Sequence, residues 1–189
     1  ARFNLLTVNR AIAESKASTV SEDINFPAPE GLKYMPFHLA GIKYLLSKLT
    51  PKNDTDCPGC ILADDMGLGK TIQTLGLVNS DTKIRNILIF SPASVIRNWR
   101  REANKWLINA PNVWLPGEDT TLPTKDHNLV IMNYDRLVSG KTAKDLFDCL
   151  MSREWDLIVL DEAHFLKNHE SKRTQRILGG KGTKGSWVP

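Results

Sequence analysis

The chain has 189 residues, enough to bury the core of one α/β domain, and with 41% hydrophobic and 24% charged residues it has the composition of an ordinary soluble globular chain. No apolar run approaches the roughly 20 residues of a membrane span, and no signal-peptide pattern opens the sequence. A net charge of +4 is compatible with nucleic acid but favours no partner strongly. We expect a soluble, intracellular protein, nuclear if eukaryotic and cytoplasmic if bacterial or viral.

The N-terminal segment, residues 1–33, predicts one weakly amphipathic helix over residues 1–20 and then an extended lead-in. Two prolines and a glycine within residues 27–31 break regular structure. The chain starts with Ala1 rather than Met, which indicates a processed or truncated N terminus. We assign no function to residues 1–20.

A helix is predicted from about Pro36 to Leu49. Proline suits the first helical position, because its missing N–H is not needed there. The apolar positions follow the i, i+3, i+4, i+7 spacing of a buried face. These positions are Ile42, Leu45, Leu46 and Leu49.

Cys57 and Cys60 have the spacing of half a zinc site. No second pair follows, since Cys149 is the only other cysteine. Structural zinc needs four ligands, so we reject a metal site here, and an odd number of cysteines argues against a disulfide framework. We also reject a redox role, because Cys60 is expected to enter the strand before the next loop.

Residues 61–71 have the layout of a phosphate-binding P-loop: a short apolar run, a loop with two glycines, and Lys-Thr opening a helical pattern. Glycines let backbone N–H groups converge on phosphate oxygens, and the following helix aims its positive end at the same anion. Lys70 is expected to reach the β and γ phosphates and Thr71 to bind Mg²⁺. Asp64 stands where the general pattern has its first glycine. The predicted nucleotide-binding residues of the loop are Asp65, Met66, Gly67, Leu68, Gly69, Lys70 and Thr71.

Residues 86–90 predict a buried parallel strand, and Ser91 is predicted to cap the helix that follows. The apolar face of this helix comprises Val95, Trp99, Ala103, Trp106 and Leu107, and its outer face carries Arg97, Arg100, Arg101 and Lys105. The start of such a helix can bind a DNA phosphate, whereas a basic face by itself is more often simply solvated. Both tryptophans are expected in the core.

Three more strands are predicted at residues 112–115, 129–133 and 155–160, separated by helical stretches. This alternation predicts an α/β fold with a mostly parallel sheet and helices on both faces. The last strand ends in Asp161 and Glu162, and ligands gather at the carboxyl ends of parallel strands. Phosphoryl transfer from ATP needs a carboxylate near Mg²⁺ and a group that orients or deprotonates water, and these two acids suit the two roles.

Residues 64–71 and 161–168 resemble motifs I and II of the Swi/Snf family of helicase-like, DNA-dependent ATPases, within helicase superfamily 2. Asp64 fits this resemblance, since the family usually writes the loop Asp-Glu-Met-Gly-Leu-Gly-Lys-Thr; here Asp65 replaces the Glu. Residues 91–106 and 132–135 supply further matches, and residues 27–37 are most similar to the annealing-helicase branch. The resemblance runs from about residue 24 to residue 171.

The resemblance implies a RecA-like ATP-binding lobe over residues 34–178, after the segment 1–33 and before a glycine-rich loop at residues 179–189. ATP and Mg²⁺ are the implied cofactors. The implied catalytic residues are Lys70, Asp161 and Glu162, and the implied Mg²⁺ ligands are Thr71 and Asp161. His164 is implied to relay between nucleotide and DNA.

His38 stands where the family has a glutamine that reads the adenine edge. Imidazole can also hydrogen-bond adenine, but a capping or packing role for His38 is an equal alternative. The DNA-backbone contacts implied by the resemblance are Ser91, Pro92, Ala93, Ser94, Asn133 and Tyr134. The implied partners are double-stranded or branched DNA and a second RecA-like lobe that supplies arginine fingers.

The function expected is that of the first ATPase lobe of an ATP-dependent double-stranded DNA translocase. Gly182-Thr183-Lys184 is not the family's next motif, Gly-Thr-Pro, and without a second lobe the chain is expected to hydrolyse ATP slowly or not at all. One alternative is a DNA- or protein-binding scaffold that has lost catalysis. Another is a P-loop switch or kinase, against which the Asp-Glu-Ala-His strand end argues.

Overall fold

The computed structural model describes residues 25–50, 53, 58–119, 126–140 and 142–179. The predicted helix over residues 1–20, Cys57, and residues 180–189 lie outside these ranges. The chain forms two compact units: one runs to Thr82 and includes Glu102–Ala110, and the other comprises Lys83–Arg101 and the chain from Pro111 onward. Among the described residues, no helix combines the length and the hydropathy needed to cross a lipid bilayer.

Two helices form the centre of the first unit: α1, Pro36–Leu49, and α2, Lys70–Ser80. The predicted bounds of α1 are confirmed. Glycines allow the two helices to approach closely, because a Cβ on Gly41 would lie 1.8 Å from Gln73 Oε1 and a Cβ on Gly76 would lie 2.3 Å from Ile42 Cδ1. The buried residues of the pair are His38, Gly41, Ile42, Leu45, Gln73, Leu75, Gly76 and Leu77.

Asn79, near the end of α2, hydrogen-bonds to three other residues of the first unit. Its Nδ2 donates to the carbonyl of Trp106 at 2.7 Å and to Tyr34 Oη at 3.1 Å, and its Oδ1 accepts from the backbone N–H of Ile108 at 3.1 Å. The ring of Tyr34 stacks on Trp106 with centroids 5.3 Å apart. Tyr34 therefore packs inside this unit.

The strand predicted ahead of the P-loop is absent from the described residues, where 58–65 have no regular secondary structure. Ile61 is 62% exposed. The apolar run contains only Ile61, Leu62 and Ala63, fewer residues than the five or six of a typical strand, so it offers few ladder hydrogen bonds.

The second unit contains a four-stranded parallel sheet: β1, Asn86–Phe90; β2, Asn112–Trp114; β3, Asn128–Met132; and β4, Leu157–Leu160. The strand order is β2-β3-β1-β4 and every pairing is parallel, which confirms the predicted sheet. Phe90 is level with Met132 of β3 and with Leu160 of β4. The residues that follow these three strands therefore emerge at one edge of the sheet.

The helices of the remaining chain are α3, Ile96–Trp106, after a 3-10 turn at Ala93–Val95; α4, Ala143–Met151; and α5, Lys172–Leu178. Two more 3-10 turns, Tyr134–Leu137 and Ala163–Leu166, directly follow the ends of β3 and β4. The core of the second unit comprises Leu88, Phe90, Trp114, Val130, Met132, Tyr134, Leu137, Phe147, Leu150, Leu166 and Ile177. Ile87, Ile89, Leu129 and Ile131 are also buried, so β1 and β3 are covered on both faces.

Candidate functional site

The loop before α2 has the backbone of a phosphate-binding turn. Gly67 has φ +88° and Gly69 has φ +65°, a left-handed conformation that side chains rarely adopt. Gly69 is the N-cap of α2, so the first N–H groups of the helix follow it directly. Such N–H groups and the helix dipole suit an anionic ligand.

Two side chains from α2 hold the loop from within. Lys70 Nζ donates to the carbonyls of Asp64 and Asp65 at 2.8 Å and 3.1 Å. The fully buried Gln73 donates from Nε2 to Asp64 Oδ2 at 3.0 Å and to the Leu68 carbonyl at 2.8 Å. Asp64, the departure from the general pattern, thus has a structural role: its carboxylate fastens the loop to the helix. Gln73 was not among the residues predicted for the site, because a glutamine inside a helical pattern was not read as part of the motif.

His38 caps the start of α1 and packs against the P-loop. Its Nδ1 accepts from the backbone N–H of Met35 at 3.2 Å, so the neutral ring carries its proton on Nε2. A Cβ on Gly69 would lie 2.4 Å from that Nε2. Burial lowers the pKa of His38, which keeps the ring neutral. Of the two roles considered for His38, the capping and packing role is observed; the adenine contact stays a prediction.

At the carboxyl end of β4, the carboxylate of Asp161 is fixed by two donors on one oxygen. Ser91 Oγ donates to Oδ2 at 2.9 Å, and Trp99 Nε1 donates to the same oxygen at 2.8 Å. The backbone N–H of Asp161 donates to the Phe90 carbonyl at 2.8 Å. Within the described part of the chain no donor meets Oδ1, so this oxygen remains available to a ligand.

The prediction that Ser91 caps the next helix is wrong. The turn at Ala93–Val95 begins after Pro92, and no side chain caps it. Ser91 is fully buried, and its hydroxyl is turned to Asp161, because a buried hydroxyl needs a partner and a carboxylate is a strong acceptor. Trp99 is in the core as predicted, but the polar function of its indole N–H was missed.

Glu162 follows Asp161 in a left-handed conformation, φ +53° and ψ +50°, which is uncommon for a residue with a side chain. Such backbone strain is typical of functional sites. Its Oε2 lies 3.1 Å from His164 Nδ1, and both side chains are more than half exposed. The Tyr134 hydroxyl donates to the Asp161 carbonyl at 2.6 Å and so fixes the backbone just before this turn.

Tyr134 is an interior residue. Its ring stacks on Phe90 and on Phe165, in each case with centroids 5.8 Å apart. Burial, and then the charges of Asp161 and Glu162, raise the pKa of Tyr134, so its hydroxyl remains a donor. Ser91 and Tyr134 were both predicted DNA contacts, but their side chains are buried, and the backbone N–H of Ser91 already donates to the Met132 carbonyl. Both contacts stay predictions.

The other predicted DNA contacts lie near the surface. Ala93 and Ser94 are exposed and Pro92 is half-buried. Asn133 accepts from the backbone N–H of Arg136 at 2.9 Å and caps the turn Tyr134–Leu137.

The basic face predicted for α3 is partly neutralised by acids that follow β2. Arg97 pairs with Glu118 at 3.3 Å, and Arg100 pairs with Asp119 at 3.2 Å. Arg97 and Arg100 thus have carboxylate partners, which weakens the attraction of this face for phosphates.

The donor chemistry fits Mg²⁺. No cluster of three or more His, Cys, Asp or Glu side chains that could hold a metal ion occurs among the residues with described positions. Mg²⁺ at nucleotide sites needs no such cluster, because it binds one or two protein oxygens together with phosphate oxygens and waters. A threonine hydroxyl and a carboxylate, as at Thr71 and Asp161, are hard oxygen ligands of this kind.

A phosphate-binding loop before a helix, and a parallel sheet with acids at the carboxyl end of a strand, define a P-loop nucleotide-binding domain with the RecA-like α/β fold. The SNF2-related domain family matches residues 30–184, and the chain belongs to this family of Swi/Snf ATPases. A solved structure with the same fold is the Sulfolobus solfataricus SWI2/SNF2 ATPase core in complex with dsDNA, with TM-score 0.63 and 26% identity, covering 81% of this chain and 31% of that one.

Curated relatives include chromatin remodellers and repair proteins. The ISWI chromatin-remodeling complex ATPase ISW1 of Saccharomyces cerevisiae is 33% identical over 171 residues, 82% of this chain and 14% of that protein. The DNA repair and recombination protein RAD54-like of Danio rerio is 30% identical over 153 residues, 72% of this chain and 21% of that protein. The chain therefore spans only a small part of these relatives.

Proposed function

We propose that this chain is the first ATPase lobe of an enzyme that uses ATP hydrolysis to translocate on double-stranded DNA. The observation that carries the proposal is the end of β4, where two buried donors fix the Asp161 carboxylate and Glu162 follows in a strained turn. Membership of the SNF2-related family and the DNA in the Sulfolobus complex support the choice of reaction and substrate.

Each residue has a distinct role in this proposal. The backbone N–H groups of residues 67–70 bind phosphate oxygens, and Lys70 leaves the carbonyls of Asp64 and Asp65 to pair with the β and γ phosphates. Thr71 and Asp161 would hold Mg²⁺, which when bound neutralises charge on the transferred phosphoryl group. Residues 65, 66 and 68 of the loop complete the nucleotide contact.

Glu162 is proposed as the group that orients the attacking water and accepts its proton. The contact with His164 Nδ1 holds the glutamate side chain in place and gives His164 a path by which events at the DNA reach the acid. Contact with the DNA phosphates is assigned to Pro92, Ala93 and Ser94, and to the protein main chain at Asn133 and Tyr134. The arginine fingers that complete such reactions are assigned to a second RecA-like lobe outside residues 1–189.

Lys70→Ala in the full-length protein tests the assignment. Loss of a preorganised charge at the transferred group costs on the order of 10²–10³ in rate, so DNA-stimulated ATP hydrolysis should fall by at least this factor. Circular dichroism should show an unchanged fold. Lys43→Ala, an exposed lysine of α1, is the matched control and should keep wild-type hydrolysis. Wild-type rates in Lys70→Ala would refute the proposal.

A further inference from the structure

We propose that Ser91 and Trp99 are positioning residues for Asp161, and that through them the segment between residues 92 and 98 controls how this carboxylate is presented to Mg²⁺. The proposal rests on the function proposed above. It assigns to two interior residues a role in metal binding that neither residue type suggests.

The first step is the convergence of two donors on one atom. Ser91 Oγ and Trp99 Nε1 approach Asp161 Oδ2 at 2.9 Å and 2.8 Å. Ser91 is itself fixed by the hydrogen bond from its backbone N–H to the Met132 carbonyl, 2.9 Å. The carboxylate is therefore clamped by one oxygen, and only Oδ1 is left for a metal or a metal-bound water. Outer partners of this kind orient a metal ligand and set its affinity.

The second step is burial. Ser91 is 0% exposed and Trp99 is 3% exposed. Water therefore cannot replace the Asp161 carboxylate as the acceptor for either donor. An indole N–H is a donor only, and an unsatisfied buried donor is costly. The Asp161 carboxylate thus cannot rotate without leaving two buried donors unpaired.

The third step is connectivity. The seven residues between the two donors include the exposed Ala93 and Ser94, to which DNA contact is assigned. Both ends of this short segment are bonded to the same carboxylate oxygen. A displacement of the segment by DNA therefore moves at least one donor relative to Oδ2, and the orientation of Oδ1 follows. DNA contact and metal affinity are coupled by this route.

Trp99→Phe in the full-length protein is the direct test, since it keeps a buried aromatic ring, although a smaller one, and removes the N–H that reaches Asp161. The measurement is the Mg²⁺ concentration that half-saturates binding of a fluorescent, non-hydrolysable ATP analogue, with and without duplex DNA. Loss of an outer partner typically costs 10–100-fold in metal affinity, so the midpoint should rise about 10-fold. DNA should shift the wild-type midpoint and leave that of Trp99→Phe unmoved.

Trp114→Phe is the matched control, because Trp114 is also a buried tryptophan of the second unit and its Nε1 has no hydrogen-bond partner in the described structure. It should leave the Mg²⁺ midpoint unchanged. Ser91→Ala gives a second test with a smaller loss of packing, and Ser91→Thr, which keeps the hydroxyl, should restore the wild-type midpoint.

Equal Mg²⁺ midpoints for wild type, Trp99→Phe and Ser91→Ala would overturn this inference while leaving the proposed function intact. So would an identical shift in Trp99→Phe and Trp114→Phe, because the effect would then be one of packing. If the wild-type protein shows no Mg²⁺-dependent binding of the analogue, the proposed function fails and the inference fails with it.

Discussion

Asp161 and Glu162 are adjacent carboxylates in different surroundings. Asp161 is half-buried, with Oδ2 held by two donors, whereas the side chain of Glu162 is 52% exposed and lies beside His164. The backbone at Glu162 is left-handed, with φ +53° and ψ +50°. Different surroundings for two acids favour different roles, and this difference supports the proposed division into metal ligand and proton acceptor.

Substitution of either acid by its amide should separate the two roles. Glu162→Gln in the full-length protein should lower ATP hydrolysis by about 10²–10⁴, since a general base is lost, while Mg²⁺-dependent nucleotide binding is kept. Asp161→Asn should weaken the Mg²⁺-dependent binding itself. Steady-state hydrolysis and fluorescent-nucleotide titration, performed on both variants, measure the difference. Identical losses of binding in the two variants would contradict the division of roles.

His38 makes stability depend on pH. Its pKa is lowered in the folded state, so below about pH 6.5 the unfolded chain binds the proton more readily than the folded one. The contribution of the neutral His38 ring to the free energy of unfolding is therefore fully present above pH 6.5. It is lost as the pH falls toward the pKa of His38 in the folded state. Protonation would also remove the acceptor for the Met35 N–H.

Thermal unfolding of the full-length protein at pH 7.5, 6.5 and 5.5 checks this prediction. The wild type should lose stability across this range, and His38→Gln, which does not titrate, should lose less. His164→Gln changes an exposed histidine and should follow the wild type. A His38→Gln profile parallel to the wild type would exclude His38 as the cause.

At the scale of elements, the contact between α1 and α2 connects fold stability to the P-loop. Gly41 of α1 lies against Gln73 of α2, and Gln73 holds the carboxylate of Asp64 and the carbonyl of Leu68. The spacing of the two helices thus determines where this amide lies. A larger residue on α1 would reach the nucleotide loop through Gln73.

Gly41→Ala should destabilise the protein and weaken nucleotide binding. The added Cβ would lie 1.8 Å from Gln73 Oε1, and overpacking of this kind costs about 1–3 kcal/mol, more than the helix propensity gained by alanine. Gly59→Ala is the control, because a Cβ there has no neighbour within 4 Å. Chemical denaturation and ATP-analogue titration measure both effects; wild-type behaviour of Gly41→Ala would show that Gln73 relocates without cost.

Elements with a local signal were predictable from the sequence, and their long-range contacts were not. The apolar spacing and Pro36 predicted α1 with its observed bounds, and the alternation of strands and helical stretches predicted the parallel sheet. Local periodicity compares residues a few positions apart, whereas Trp99 and Asp161 are 62 positions apart and Ser91 and Asp161 are 70 apart. The order of the strands brings these residues together, and no local pattern encodes that order. The strand predicted before the P-loop was wrong. Its short apolar run suggested a strand, but none of the described strands pairs with it.

At the scale of the whole molecule, the chain covers 14% of ISW1 and 21% of the RAD54-like protein, so these relatives contain much more than the region that matches this chain. In the function proposed here, a nucleotide held by this lobe alone would lack the arginines assigned to a second lobe. Such arginines contribute about 10³–10⁵ in related P-loop enzymes. On the function proposed here, we therefore expect hydrolysis to require both lobes.

Residues 1–189 alone are expected to bind ATP weakly and to hydrolyse it at least about 10³-fold more slowly than the full-length protein, with little stimulation by DNA. Phosphate release by both proteins, at matched concentrations and with circular dichroism as the check on folding, measures the difference. Full-length rates from residues 1–189 would show that this lobe needs no second lobe.

The ammonium of Lys70 is held on the carbonyls of Asp64 and Asp65. On the function proposed here, nucleotide entry would therefore be an exchange of partners for this cation. The loop keeps its shape with a cation of its own at its centre, so an arriving triphosphate competes with two peptide oxygens for that cation. The affinity for ATP would then be a difference between two bonded states. A substitution that weakens the hydrogen bonds from Lys70 to these two carbonyls would strengthen ATP binding without adding any contact to the nucleotide.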